Sequence, residues 1–274
     1  MGIGRLSALF GLVLAAVLTG CSSSSPGAPT AEPAPLPPDQ IVFTVSSGPG
    51  YSPTIMFPLQ SPAIAIYGDG RILQMGPREN YDLPGDYSVT TVDPAAVARF
   101  VGDAEAGGLI SESTDAGHPQ ITDHGNTTFT LHGEGEQSTL SVYAYSSDFD
   151  GGLTDDQKMV RARLRDLVDG ARSLADGHPS TDFIPEQVGV FELDTGGDPP
   201  ATTRWPGPAP AGFLTGRSKI YGVERCGVLR GPDAAQVYWA ALTNRGADWL
   251  IDGATRILVV NPLPVGTVSC DAAA

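Results

Sequence analysis

Lysine is almost missing from this chain: Lys158 and Lys219 are the only two in 274 residues. Arginine does not make up the difference, since 16 basic residues face 31 acidic ones for a net charge of −15. So acidic a body repels phosphate backbones and anionic head groups alike, which excludes nucleic acid as the expected partner. Histidine is scarce too. None of His118, His124, His132 and His178 is followed by Glu, so the zincin pattern H-E-x-x-H cannot be placed. Asp155 and Gly216 stand where a nucleophilic Ser-x-x-Lys would need serine, and neither a G-x-S-x-G elbow nor a Walker loop occurs. No residue set asks for a cofactor. The longest apolar run, Leu6 to Leu18, is shorter than the roughly 20 residues that cross about 30 Å of hydrocarbon, so a permanent membrane-spanning helix is not expected.

What is present begins with that run. Arg5, the apolar stretch and the small residues before Cys21 give residues 1–20 the three-part form of a secretory signal peptide. Leu18-Thr19-Gly20-Cys21 resembles the bacterial lipobox, and the resemblance implies cleavage before Cys21 and acylation there with diacylglyceryl and palmitate-type chains. Two or three chains would hold the protein to the membrane, on the extracytoplasmic face. Residues 21–40 are almost all Ser, Pro, Ala and Gly, too poor in apolar periodicity to repay ordering. They read as a linker whose prolines favour extended geometry and a reach on the order of 60 Å. With Cys21 committed to lipid, Cys226 and Cys270 remain in an exported chain, where a mutual disulfide is expected. A zinc pair is the alternative, but no His or further Cys lies near either in sequence.

The remaining roughly 250 residues suffice for one large domain or two small ones. Ile41 to Val45 reads as a strand. Ala63 to Tyr67 and Arg71 to Met75 flank Gly68-Asp69-Gly70 as a hairpin, and Tyr87 to Val92 follows as a further strand. Asp93 and Pro94 open a helix that carries Val97, Phe100, Val101 and Ala104 at helical spacing and stops at Gly107-Gly108. Thr127 to His132 and Ser138 to Tyr145 alternate as a second hairpin around Gly133-Glu134-Gly135-Glu136. Thr154 and Gln157 form a capping box, ahead of an apolar stripe through Val160, Leu164, Leu167, Val168, Ala171 and Leu174. Arg161, Arg163, Arg165 and Asp169 are assigned to the opposite, solvent face. Later come a strand at Val188 to Leu193, a Pro- and Gly-rich loop from Gly196 to Gly212, and a strand at Lys219 to Leu229. A helix over Asp233 to Asn244 and a strand at Thr255 to Asn261, apolar on both faces, follow. The fold class is therefore α+β: antiparallel hairpin sheets each covered by amphipathic helices, in two subdomains at residues 41–178 and 183–274.

Tyr67-Gly68-Asp69-Gly70, Thr122-Asp123-His124-Gly125-Asn126-Thr127-Thr128 and the two-cysteine end with Pro262-Leu263-Pro264 resemble a group of actinobacterial cell-envelope lipoproteins without an assigned activity. The bias toward Arg, Ala, Gly, Pro and Asp suits a GC-rich genome of that kind. Where the group carries a small residue after the Asp, His124 stands here, and the resemblance brings no catalytic role.

His118, Asp123, His124 and His132 could supply imidazole and carboxylate to a divalent metal, but they fall in a loop, a turn and a strand, and nothing in their spacing makes them converge. Asp148-Phe149-Asp150-Gly151 opens like a calcium loop, yet Gly152 occupies the next ligand position and no Glu closes it. Neither is read as a metal site. Trp205, in Arg204-Trp205-Pro206-Gly207-Pro208, sits where a Pro and Gly loop offers little core to an indole; it is the ligand-binding candidate, facing a glycan or an envelope protein, and folding back onto its own domain is the alternative. The functional expectation is a membrane-anchored extracytoplasmic binding or accessory module of the cell envelope. An envelope hydrolase with paired carboxylates, directed at glycan, is the enzyme alternative. A purely structural envelope protein is the third.

Overall fold

The computed structural model describes residues 34–78, 80–194, 200–262 and Cys270. The expected signal peptide, Cys21 and the linker up to residue 33 lie outside these. The fold is α+β, with three helices and two antiparallel sheets of seven and four strands.

The first sheet collects β1 (Ile41–Ser47), β2 (Pro62–Tyr67), β3 (Arg71–Met75), β4 (Tyr87–Thr91), β5 (Asn126–Leu131), β6 (Ser138–Tyr143) and β7 (Ser180–Asp182), in the order β6-β5-β1-β2-β3-β4-β7. The expected hairpin forms: Ala65 faces Leu73 and Ile66 faces Ile72 across the turn at residues 68–70. Gly70 holds φ +94°, and the Cβ of any other residue would fall 2.2 Å from Val92 O, so backbone conformation and space both demand glycine there.

Two helices cover one face of this sheet. α1 (Pro94–Gly107) starts where the Asp93 carboxylate accepts from Ala95 N–H and stops at Gly108 in the left-handed conformation. α2 (Asp155–Ser173) starts at the reciprocal Thr154–Gln157 capping box. Val97, Val101, Leu164, Val168 and Ala171 descend from the helices onto Val45, Ile64, Ile66, Ile72, Phe129, Leu140 and Val142 of the strands, all buried. The opposite face changes character along its width. Over β2 to β4 it is apolar, with Ala65, Tyr67, Leu73 and Tyr87 buried. Over β1, β5 and β6 it carries hydroxyls in register, Thr44–Thr130–Thr139 and Ser46–Thr128–Ser141.

The second sheet comprises β8 (Gln187–Leu193), β9 (Val223–Arg230), β10 (Asp248–Ile251) and β11 (Ala254–Pro262), ordered β10-β11-β8-β9. α3 (Gly231–Ala241) lies on one face, packing Ala234, Val237 and Tyr238 against Val188, Val190, Trp249, Leu258 and Val260. Phe191, Leu193, Val259 and Cys226 line the other face with Leu59 and Cys270. The disulfide joins Cys226 to Cys270 with Cα atoms 5.8 Å apart, pinning Cys270 beside β9.

The described residues belong to one compact unit. Tyr238 Oη on α3 donates to Gly85 O ahead of β4 at 2.9 Å, and the Asn261 side chain of β11 donates to Gln60 O at 2.8 Å while accepting from the Ser61 hydroxyl. Both sheets are thus tied through buried polar groups.

Four features differ from the sequence reading. The expected linker does not run to residue 40: Leu36 packs on the first core, and Pro38 O and Gln40 O accept from Asp69 and Gly68 N–H. The strand expected from Lys219 begins at Val223, because Gly222 turns the chain at φ +75°. β7 and β10 were not anticipated. β7 is the exposed tripeptide Ser-Thr-Asp, with no apolar residue to reveal it, and β10 is four residues long behind a turn with positive φ at Gly246 and Ala247.

Candidate ligand cleft

The loop around Trp205 does not hold its indole out in water. Trp205 N–H donates to Leu250 O, and Leu250 N–H donates to Thr203 O at 2.8 Å, so residues 203–205 run parallel to β10 and cover the edge of the second sheet. This backbone pairing turns the half-buried side chain inward. Its ring meets Trp249 edge-on at 5.2 Å and lies near parallel to Phe213 at 6.3 Å, and Nε1 donates to Pro208 O at 2.8 Å. Of the two readings of Trp205, the structure shows the second: the indole packs on the second core rather than standing in solvent. Glycine at 207 permits this, since a Cβ there would come within 2.7 Å of Val237 on α3 and 3.0 Å of the indole itself.

The fold-back leaves a cleft of about 550 Å³ between residues 204–210 and the β10–β11 turn. Trp205 and Pro210 form apolar wall, Leu250 and Ile251 contribute strand, and Arg204 and Asp252 stand at the exposed rim. Neither Arg204 nor Asp252 makes an ion pair among the described residues. The volume lies within the range of small-ligand sites, and an aromatic wall with a few polar groups is their usual lining. A smaller groove of about 290 Å³ runs between α1 and α2, with Ala104, Leu109 and Leu167 inside and Asp103, Arg163 and Asp166 at its rim.

The other sequence candidates have structural partners. His118 stacks flat on Tyr143 at 4.0 Å, and the hydroxyl of the same tyrosine donates to Ile121 O and accepts from His124 N–H. His132 N–H is used by Val42 O. Among the described residues no group of three or more His, Cys, Asp or Glu is placed to hold a metal ion. Asp150 pairs with Lys158, and its carbonyl accepts from Leu153 N–H at the entry to α2.

Three charged groups escaped the sequence reading. Arg161, assigned there to the solvent face of α2, is 3 % exposed. Its guanidinium donates to Ala116 O at 2.7 Å, Gly117 O at 3.2 Å, Tyr143 O at 2.7 Å and Ala144 O at 3.3 Å. Burial, reinforced by Arg165, lowers its pKa. The signal was in the spacing: residue 161 shares the helical phase of Leu164, Val168 and Ala171. Glu192, 6 % exposed, lies on β8 between Arg225 of β9 and Arg256 of β11 and accepts from the Nε of each at 2.7 Å. Both of its oxygens are occupied, which makes it a cross-strand clamp with no lone pair directed at a ligand. Asp248 opens β10 with Oδ1 enclosed and without a hydrogen-bond partner among the described residues, and burial raises its pKa.

Neither a protein-family model, nor a curated protein, nor a solved structure matches this chain.

Proposed function

We propose that the protein is a lipid-anchored extracytoplasmic lipoprotein that serves the cell envelope as a binding or accessory module, with the cleft beside Trp205 as its ligand site. The address rests on Leu18-Thr19-Gly20-Cys21, with the Cys226–Cys270 disulfide consistent with an oxidising compartment. No helix among the described residues is long and apolar enough to cross a membrane, and the proposed attachment is the lipid on Cys21. Cys21→Ser should release the protein from the membrane fraction or leave it unprocessed; a processed mutant that stays in that fraction refutes the anchor.

The observation that carries the binding role is the cleft itself: an indole, a proline wall and an Arg204 without an ion-pair partner among the described residues, around about 550 Å³. Aromatic wall plus rim guanidinium suits an envelope glycan fragment or another small ligand with an anionic group. The test is a titration of glycan fragments and anionic saccharides followed by tryptophan fluorescence, since Trp205 and Trp249 are in contact and would report together. Binding should be weakened about tenfold or more by Arg204→Ala, a substitution at an exposed side chain. Binding undiminished by Arg204→Ala and by Trp205→Phe would place the ligand elsewhere. Hydrolysis of a glycan by the purified chain, abolished by one carboxylate substitution, would replace this reading with the enzyme alternative.

A further inference from the structure

The seven-stranded sheet ends in β6, and hydrogen-bond phase tells which of its backbone groups face outward. Gly48 N–H donates to Asn126 O and His132 N–H donates to Val42 O, so the even-numbered residues of β5 turn their backbone toward β1. The odd-numbered ones, Thr127, Phe129 and Leu131, then turn toward β6, opposite Val142, Leu140 and Ser138. Ala144 N–H donating to Gly125 O continues the same phase. The backbones of Thr139, Ser141 and Tyr143 therefore point away from the sheet. Arg161 takes Tyr143 O at 2.7 Å. The N–H groups of Thr139, Ser141 and Tyr143 and the carbonyls of Thr139 and Ser141 meet no partner among the described residues.

Exposed edges are normally blunted by charge, proline or a bulge. β6, Ser-Thr-Leu-Ser-Val-Tyr, has no charged residue and no proline, and its six pairs with β5 run without a register shift. The other edges are treated differently. Residues 203–205 cover β10, Gly216 exchanges two hydrogen bonds with Cys226 on β9, and β7 is three residues long. Among the described residues, β6 thus presents an edge without charge, proline or bulge, next to the register rows Thr44–Thr130–Thr139 and Ser46–Thr128–Ser141.

Charge at the two ends of the strand identifies the occupant. Glu134 and Glu136 are exposed in the tip before β6, with the Glu105 carboxylate against Gly133, and Asp148 and Asp150 are exposed beyond it. Of these five carboxylates, only Asp150 has an ion-pair partner among the described residues, Lys158. Two β6 strands paired antiparallel would bring the glutamates of one copy to the aspartates of the other, in a chain of net charge −15. A second copy is therefore the wrong occupant. We propose that β6 is the docking edge for an extended segment of a partner protein, which adds to the sheet as a further antiparallel strand, uncharged in the middle and basic at both ends. The backbone bonds supply affinity, and the flanking carboxylates select charge.

The experiment uses the purified full-length chain and a fluorescently labelled synthetic peptide of alternating Thr and Val with lysines at both ends, followed by anisotropy. The same peptide flanked by glutamates should bind at least about tenfold more weakly. Ser141→Pro removes an outward N–H that no ladder bond uses, so circular dichroism should stay native while lysine-peptide affinity falls at least about tenfold. The double variant Glu134→Lys, Glu136→Lys touches only exposed side chains and should narrow the gap between the two peptides. Unchanged affinity in a folded Ser141→Pro protein, equal binding of both peptides, or no binding of the lysine-flanked peptide would each overturn the proposal. Should Ser141→Pro not fold, a charge-reversed double variant that keeps the full preference for lysine would overturn it. Concentration-dependent dimerisation lost in Ser141→Pro would assign the edge to a second copy and overturn the partner reading.

Discussion

Arg161→Met is the sharpest perturbation of the fold, because it keeps the aliphatic stem and removes only the head group. That head group closes four carbonyls drawn from two segments, Ala116 and Gly117 on one side and Tyr143 and Ala144 on the other. A bond from a charged donor contributes about 1.5–3 kcal/mol net, but four such values cannot be added, since the sum would approach the whole stability of an ordinary domain. The two Nη2 bonds are also partly open to water, which can replace the donor there. The fully buried bonds to Ala116 O and Ala144 O cannot be rescued so simply. A loss of about 3–5 kcal/mol is therefore expected, the cost of stranding buried polar groups. For a chain of this size that is a fall in melting temperature of roughly 10 °C or more. Arg161→Lys should land between, since one ammonium reaches only part of the set. Urea unfolding with an unchanged m-value reads the stability, and hydrogen exchange at Gly117 and Ala144 reads the local loosening. Arg161→Met within about 1 kcal/mol of the parent would show that the guanidinium is not the keystone of these two segments.

Reduction of the Cys226–Cys270 disulfide opens a link across 44 residues and should cost on the order of 4 kcal/mol on the chain-entropy model; two freely titrating thiols in the native protein would deny the bond. Trp205→Ala should cost about 2–3 kcal/mol, below the range for a fully buried aromatic because the indole is only half-buried, and an unchanged melting temperature would place it back in solvent. For Asp248, a folded-state pKa above the ordinary carboxylate value means that its contribution is favourable below that range and is lost as pH rises through the raised value. Asp248→Asn should therefore raise the melting temperature at pH 7, with the gain vanishing near about pH 3; a gain that persists in acid would assign it to something other than charge.

Local order was readable wherever it is written by neighbours in sequence. The Gly68-Asp69-Gly70 hairpin, the Asp93 and Thr154 caps and the central position of β11 all follow from short patterns of turn chemistry and alternation. What depends on distant partners was not readable in the same way. Arg161 was placed by residue type when its phase along α2 already put it with Leu164 and Val168. Leu36 stands alone in a stretch without apolar periodicity, so pattern does not mark it, yet one leucine suffices to dock on a core. The sequence leaves Trp205 between solvent and fold-back, because a Pro- and Gly-rich loop has no core of its own; it borrows that of Trp249 and Phe213. The open edge of β6 is a property of sheet order, which the strand's own six residues do not encode.

The order β10-β11-β8-β9 puts the last strand of the sheet in its interior. During synthesis, β8 and β9 can pair as soon as residue 230 is available, but β10, paired until then only with residues 203–205, joins them when β11 arrives between. A chain cut short before residue 254 would therefore lose more than a frayed end: its half-sheet would expose Val188 and Val190 with an unfilled side, and Cys226 would have no Cys270. The second sheet is therefore whole only once residues 254–262 are in place, since they alone join β10 to β8.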